Sequence, residues 1–194
     1  CGLAYWWAGM EVFDAVGHAF STVAIGGFST HDTSIGFYQS PLIMLICMSF
    51  MILSGVNFAL HFFGWQERSI KHYWYDPEFR FYASWIVVGA LITVAYLYKA
   101  EVYNAKDSAL HGSFQFVSIL TTTGFATANF SEWPTFLPSM LFLFAFMGGC
   151  AGSTGGGMKV IRVLLICKQG LREIQRLIHP NAIIPIKIAK KSVS

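Results

Sequence analysis

Two short strips of glycine and hydroxyl-bearing residues have the composition of a site that binds a dehydrated cation through main-chain oxygens. They read STVAIGGFST over 21–30 and SILTTTGFAT over 118–127. Glycine permits backbone angles that present successive carbonyl oxygens, and rings of such oxygens can replace the hydration shell of an ion. The residues expected to supply these oxygens are Ala24, Ile25, Gly26, Gly27, Thr121, Thr122, Thr123 and Gly124.

The two strips are copies of each other. A shift of 97 positions without a gap places Gly27 on Gly124 and Pro41 on Pro138, and it gives seven identities over the 38 positions from 18 to 55. Either strip alone could be a turn between packed helices. The duplication favours a filter for ions instead, because a repeated pore element must recur whereas an incidental turn need not.

A second glycine-rich segment interrupts an apolar stretch farther along the chain. Six of its ten residues are glycine, and each interior glycine costs about 1 kcal/mol of helix propensity relative to alanine. We expect the helix to break here and to form a flexible loop that obstructs the inner half of the pore as a gate. The alternative is a small-residue face for close helix packing. The segment is Gly148, Gly149, Cys150, Ala151, Gly152, Ser153, Thr154, Gly155, Gly156 and Gly157.

Three charged residues adjoin these segments. Lys159 and Arg162 follow the glycine-rich segment and are interpreted either as an inner electrostatic barrier or as anchors at the membrane surface. Asp32 follows the first strip and could attract cations at the outer mouth or be a solvated loop acid. A phosphate-binding loop is excluded at 152–159 because Met158 separates the last glycine from the lysine and no strand precedes it.

The composition of the whole chain is that of an integral membrane protein. Of 194 residues, 55% are hydrophobic and 12% charged, with a mean hydropathy of +0.53. A soluble domain carries about a quarter charged residues, and a disordered chain needs low hydrophobicity. Apolar runs at 41–64, 81–98 and 135–158 are long enough to cross a hydrocarbon core of about 30 Å. Shorter runs at 13–25 and 114–125 predict re-entrant helices.

These elements predict an all-α integral membrane fold of tandem helix–pore-helix–filter loop–helix repeats, as in potassium channels. Eleven of the 13 Lys and Arg residues lie in 66–80 or after 158, which makes that side cytoplasmic by the positive-inside rule. The apolar start and basic end lead us to expect a piece of a longer polypeptide. The expected divisions are one incomplete repeat (1–65), a cytoplasmic connector (66–80), a complete repeat with a broken closing helix (81–178) and a cytoplasmic lead into a following repeat (179–194).

Two other function classes are alternatives to a pore. An intramembrane enzyme could use Ser153 or Thr154 as a nucleophile, but it needs a base within hydrogen-bond reach, and the nearby sequence offers none. A structural subunit could use the glycines only for packing, which does not explain the duplicated strips. The six histidines have no paired metal-ligand spacing, and the four cysteines, which have no C-x-x-C spacing, are read as inert thiols.

The segments together resemble TrkH-type potassium-uptake proteins of the Trk/Ktr/HKT cation transporter superfamily. Members of this family have four helix–pore-helix–helix repeats around one pore. By this resemblance the chain would supply the pore and closing helices of repeat two, all of repeat three and the lead into repeat four. The residues that carry the resemblance are STVAIGGFSTHD at 21–32, TTTGFAT at 121–127, GGCAGSTGGGMKVIR at 148–162 and HPNAIIPIKI at 179–188.

The resemblance implies potassium uptake by a multi-pass protein of the bacterial inner membrane, in contact with lipid and not with nucleic acid. It makes Gly27 and Gly124 the filter glycines and 148–157 the gating loop, with K⁺ as the transported ion and no organic cofactor. It also implies a homodimer and a cytoplasmic, nucleotide-binding ring of the TrkA type that contacts 159–191. A less selective Na⁺/K⁺ transporter subunit remains the alternative, since filters one and four lie outside this sequence.

Overall fold

The protein is α-helical in the computed structural model, which describes residues 1–134 and 136–179 and the backbone of 186–188 and 191–193. The latter two segments form a short antiparallel pair, β1 (Ile186–Ile188) and β2 (Lys191–Val193). The predicted lead into a following repeat at 179–194 otherwise lies outside the described residues. The helices are α1 (Gly2–Trp7), α2 (Val12–Val23), α3 (Pro41–Ser54), α4 (Phe58–Gln66), α5 (Lys71–Tyr75), α6 (Pro77–Lys99), α7 (Ala105–Leu120), α8 (Phe136–Ala145) and α9 (Val160–Ile178).

The chain folds as two copies of one arrangement, joined by α5. In the first copy, α2 is followed by a non-helical strip, a 3₁₀ turn at Ser34–Tyr38 and α3. In the second copy, α7 is followed by a strip, a 3₁₀ turn at Phe130–Glu132 and α8. The predicted re-entrant run at 13–25 corresponds to α2, whereas the run at 114–125 covers the end of α7 and the strip after it, since α7 already begins at Ala105. The second copy is led by α6, which the first copy matches only with the short α1.

Helix α6 is well specified by its sequence. The Asp76 carboxylate caps its start by accepting from the Phe79 N–H at 2.7 Å, and Pro77 occupies the first turn, where a missing N–H costs little. Its 23 residues extend about 35 Å. Gly89 lets α7 pack against it, because a Cβ there would overlap the Phe116 ring. Among the described residues, α6 is the helix that is by itself long and apolar enough to cross a membrane.

The prediction of one continuous helix over 41–64 is wrong. The run forms α3 and α4, which meet at 94° across a break at 55–57. At the break the Gly55 carbonyl accepts from the Cys150 N–H at 2.8 Å, and the Phe58 N–H donates to the Gly152 carbonyl at 3.1 Å. The Asn57 side chain then caps α4 by accepting from the Ala59 N–H at 2.9 Å. The helix ends here because the Gly55 carbonyl and the Phe58 N–H, which would form its next hydrogen bonds, are bound to the second copy instead.

The run predicted over 135–158 contains the expected interruption. Helix α8 has ten residues, and no helix is present between Ala145 and Val160. The segment closes on itself at its base, where the Gly148 N–H donates to the Met158 carbonyl and the Met158 N–H to the Phe146 carbonyl, both at 3.0 Å. We call residues 148–157 the glycine-rich loop. The chain continues from it into the amphipathic helix α9.

Candidate cation site

The two strips have the same unusual backbone conformation. The residue after each helix-ending position is left-handed, with φ of 55° at Ile25 and 63° at Thr122. The glycine two residues later is left-handed as well, with φ of 68° at Gly27 and 89° at Gly124. Glycine adopts this region freely, whereas a β-branched residue does so at a cost, and such strain is concentrated at functional sites. The 97-residue repeat therefore extends to backbone angles.

Hydrogen bonds at the helix ends repeat in the same way. The Gly26 N–H donates to the Ser21 carbonyl at 2.7 Å, and the corresponding Thr123 N–H donates to the Ser118 carbonyl at 2.9 Å. Each bond turns the chain back over the end of its short helix. The carbonyls at that end carry the negative pole of the helix dipole, so the strips start in a region that favours cations.

Gly27 and Gly124 differ in the space around them. A Cβ on Gly27 would overlap the main-chain carbonyl of Thr123, whereas a Cβ on Gly124 would meet no atom within 4 Å. The first strip is thus in direct backbone contact with the second. Position 27 requires glycine both because φ is positive and because there is no room for a Cβ. Position 124 requires it only because φ is positive.

The phenylalanines that follow Gly27 and Gly124 have different surroundings in the two copies. Phe125 is fully buried, and its ring centroid lies 6.0 Å from that of His18 on α2. Phe28 is 82% exposed. The second copy therefore inserts its phenylalanine against the short helix of the first.

A carboxylate on α2 fastens the outer end of the first strip. Asp14 accepts from the Thr30 hydroxyl at 2.7 Å, from Nε2 of His31 at 2.9 Å and from the Tyr38 hydroxyl at 2.8 Å. The Thr30 hydrogen bond, followed by that of His31, lowers the pKa of Asp14 to about 2. The carboxylate is therefore charged at neutral pH and ties three loop side chains to one helix.

The second copy fastens its strip at the equivalent position with different chemistry. Nδ1 of His111, which corresponds to Asp14, lies 3.0 Å from the hydroxyl of Thr127, which corresponds to Thr30. Burial lowers the pKa of His111. The repeated threonine was part of the sequence pattern. Its partners, Asp14 and His111, were missed because an alignment that counts only identical residues does not detect an aspartate aligned with a histidine.

The glycine-rich loop lies against the inner ends of both short helices. The Thr154 hydroxyl donates to the Val23 carbonyl at the end of α2, at 2.9 Å. The Gly156 N–H donates to the Thr122 hydroxyl in the second strip, at 2.8 Å. The loop and the strips are therefore connected by hydrogen bonds, and a displacement of the loop must break them.

The two basic residues after the loop have different surroundings. Lys159 is half-buried and turns its ammonium back to the loop, where it donates to the carbonyls of Ser153 and Gly155. Arg162 is exposed on the first turn of α9. The predicted pair is thus divided, with Lys159 belonging to the hydrogen bonding of the loop.

The outer side of the strips opens into a cleft. It has a volume of about 440 Å³ and is formed by the loops that follow the two strips. Asp32, which corresponds to Asn129, lies on its wall. The loops are joined here by the Gly36 N–H, which donates to the Ala126 carbonyl at 3.1 Å. The cleft brings Asp32 to the same side of the molecule as the outer ends of both strips.

Comparison with known proteins identifies the family that these features belong to. A family model described as TrkH, cation transport protein, matches residues 3–194. The chain belongs to the TrkH family. Its expected fold, tandem repeats of helix, pore helix, filter loop and helix in a membrane protein, is confirmed by a solved structure of that family. The crystal structure of the potassium transporter TrkH from Vibrio parahaemolyticus superposes with a TM-score of 0.96 and 49% identity, over 100% of this chain and 42% of that one.

Curated relatives carry the same family name. The Trk system potassium uptake protein TrkH of Halomonas elongata is 55% identical over 193 residues, and that of Escherichia coli K12 is 50% identical over 194. Each match covers 100% of this TrkH-family chain and 40% of the relative. The chain therefore spans about two fifths of the length of these relatives. Membership of the family places it in a membrane.

Proposed function

We propose that the chain forms part of the pore of a potassium-uptake protein in the bacterial inner membrane, which it crosses several times. The names of its relatives supply the ion, since those proteins are called potassium uptake proteins. In this proposal K⁺ is the transported ion and no organic cofactor takes part. The chain contributes two of the filter strips, and the remaining strips belong to parts of the protein beyond this sequence.

The repeated left-handed backbone of the strips carries the proposal. Left-handed angles at the same two positions of both strips take the main chain off the path of a helix or a β-strand, and glycine lets it present successive carbonyl oxygens. Carbonyl oxygens arranged in this way can coordinate a dehydrated cation. We assign this coordination to the main chain at 24–27 and 121–124. The direct contact of Gly27 with the Thr123 carbonyl supports a common pore for both strips.

We assign the glycine-rich loop the role of a gate below the strips. Its hydrogen bonds to Val23 and Thr122 support this assignment because they put it at the inner end of both strips. Irregular backbone at membrane depth is tolerated where it lines a cavity or is buried in protein. In the closed state Lys159 holds the loop carbonyls, and Arg162 adds positive charge on the inner side.

The partners in this proposal act on the cytoplasmic side. Helix α9 carries exposed apolar residues, such as Ile174 and Leu177, between basic ones. We propose that it contacts a nucleotide-binding ring of the TrkA type and that the full-length protein is a homodimer. Movement of α9 would then reach the loop directly, since only two residues separate the loop from the helix.

The proposal excludes the intramembrane enzyme. The Ser153 hydroxyl donates to the Cys150 carbonyl at 2.7 Å and the Thr154 hydroxyl to the Val23 carbonyl at 2.9 Å. A nucleophilic hydroxyl must give its proton to a base, and both protons are directed at main-chain carbonyls instead. These contacts support the view that both side chains hold the loop in its conformation.

Uptake of ⁸⁶Rb⁺ by the full-length protein in proteoliposomes tests the proposal. Unlabelled K⁺ is expected to suppress the uptake far more strongly than Na⁺ at the same concentration. Equal suppression by Na⁺ would favour the less selective Na⁺/K⁺ transporter. Absence of uptake with the regulatory partner present would refute the assigned function.

A further inference from the structure

A buried carboxylate at the start of α6 joins the glycine-rich loop to α9. Glu78 is 7% exposed, and its Oε1 accepts from the Ala151 N–H at 2.7 Å and from the Ile161 N–H at 3.0 Å. Ala151 lies within the loop, and Ile161 lies in the first turn of α9. One carboxylate oxygen on α6 therefore binds a main-chain N–H of the loop and a main-chain N–H of α9.

The carboxylate lies where two helices favour negative charge. It is in the first turn of α6 and accepts from the first turn of α9, and the N-terminus of a helix is the positive pole of its dipole. The N-cap residue of α9, Lys159, makes no side-chain capping bond. Glu78 thus supplies from another helix the acceptor that α9 lacks at its own start.

The loop also binds a cation, the ammonium group of Lys159. The Lys159 ammonium donates to the carbonyls of Ser153 and Gly155, while Glu78 accepts from the Ala151 N–H. A buried charge is retained where hydrogen bonds satisfy it. Lys159 belongs to the same segment as the loop and can move with it. Glu78 belongs to α6 and holds the loop to a fixed part of the protein.

We propose that Glu78 is the positioning residue that clamps the glycine-rich loop in its closed place. Displacement of α9 would pull the Ile161 N–H away from Oε1 and disturb the Ala151 bond on the same atom, so that motion of the helix frees the loop. This proposal rests on the gate function assigned above. It identifies the residue that holds the gate closed, and this residue lies outside the loop and outside the filter strips.

Hydrogen exchange and ion uptake of the full-length protein test the clamp separately. The test variant is Glu78→Gln, which keeps the size of the side chain and weakens both hydrogen bonds. Glu78→Ala removes the acceptor altogether. The control is Glu67→Gln, which changes an exposed carboxylate paired with His72. Thermal unfolding and elution volume confirm that each variant is folded.

Amides of a peptide spanning 148–162 are expected to exchange about tenfold faster in Glu78→Gln, because bonds to a charged acceptor are stronger than those to a neutral one. The Glu67→Gln control should leave them unchanged. ⁸⁶Rb⁺ uptake without the regulatory partner should rise in Glu78→Gln. It should not rise further when Glu78→Gln is added to a protein lacking 155–157, since the shortened loop no longer obstructs the pore.

Unchanged exchange in both Glu78 variants would overturn the clamp, whatever the uptake. Faster exchange with unchanged uptake would also overturn it, provided that deletion of 155–157 alone raises uptake. If that deletion leaves uptake unchanged, the gate function itself is refuted, and the exchange result then decides whether Glu78 holds the loop. The two failures are therefore distinguishable.

Discussion

Replacing Gly27 by alanine is expected to damage the pore much more than the same change at Gly124. Both residues are left-handed, with φ of 68° and 89°, so either alanine costs about 1–2 kcal/mol in backbone conformation. At Gly124 the added methyl group enters open space. At Gly27 it overlaps the Thr123 carbonyl, and overpacking adds about 1–3 kcal/mol or more. The atom that must move is main chain and one of the proposed ion ligands.

The pair of variants is compared in the full-length protein by thermal unfolding and by ⁸⁶Rb⁺ uptake with Na⁺ as a competitor. We expect Gly124→Ala to fold and to retain measurable uptake. We expect Gly27→Ala to be less stable than Gly124→Ala by a further 1–3 kcal/mol or so and to lose uptake or preference for K⁺. Equal effects of both variants on stability and selectivity would refute the backbone contact between the strips at Gly27 and Thr123.

Three further predictions concern the loop and the outer network. Thr122→Val removes the acceptor of the Gly156 N–H and should raise ⁸⁶Rb⁺ uptake without the regulatory partner. Thr122→Ser keeps the hydroxyl and should leave uptake unchanged. Equal uptake by the two variants would show that the Gly156–Thr122 hydrogen bond does not hold the loop closed. Deletion of 155–157 should raise uptake, and a fall in well-folded protein would contradict the obstruction. The low pKa of Asp14, about 2 against an ordinary 3.8, means that its network stabilises the fold above about pH 4 and loses this effect as the pH falls toward 2; a stability difference between wild type and Asp14→Asn that is constant from pH 6 to 2.5 would contradict this.

Local sequence was sufficient to predict α2, the apolar end of α7, the strips and the interruption at 148–157. Each depends on residues adjacent in the chain: a limited apolar run, glycine beside hydroxyl residues, or six glycines in ten positions. The repeat added information because it compared two segments that fold alike. Its prediction of equivalent strips extends in the structure to left-handed angles at the same two positions, Ile25 with Thr122 and Gly27 with Gly124.

The break after α3 was not predictable from the same signals. Gly55 is a single glycine in an apolar run, and the groups that end the helix there are the Cys150 N–H and the Gly152 carbonyl, almost a hundred residues away. Glu78 and Asp14 were missed for a related reason. Glu78 is satisfied by main-chain N–H groups of distant segments, and Asp14 by loop side chains. Neither partner set has a characteristic spacing.

In the proposed pore, main-chain oxygens of both strips coordinate the transported ion. Anomalous scattering from crystals of the full-length protein grown in Rb⁺ tests it most directly. Anomalous peaks are expected between the strips, each surrounded by carbonyl oxygens of 24–27 and 121–124. Strips that pack against each other with no Rb⁺ peak between them would contradict it.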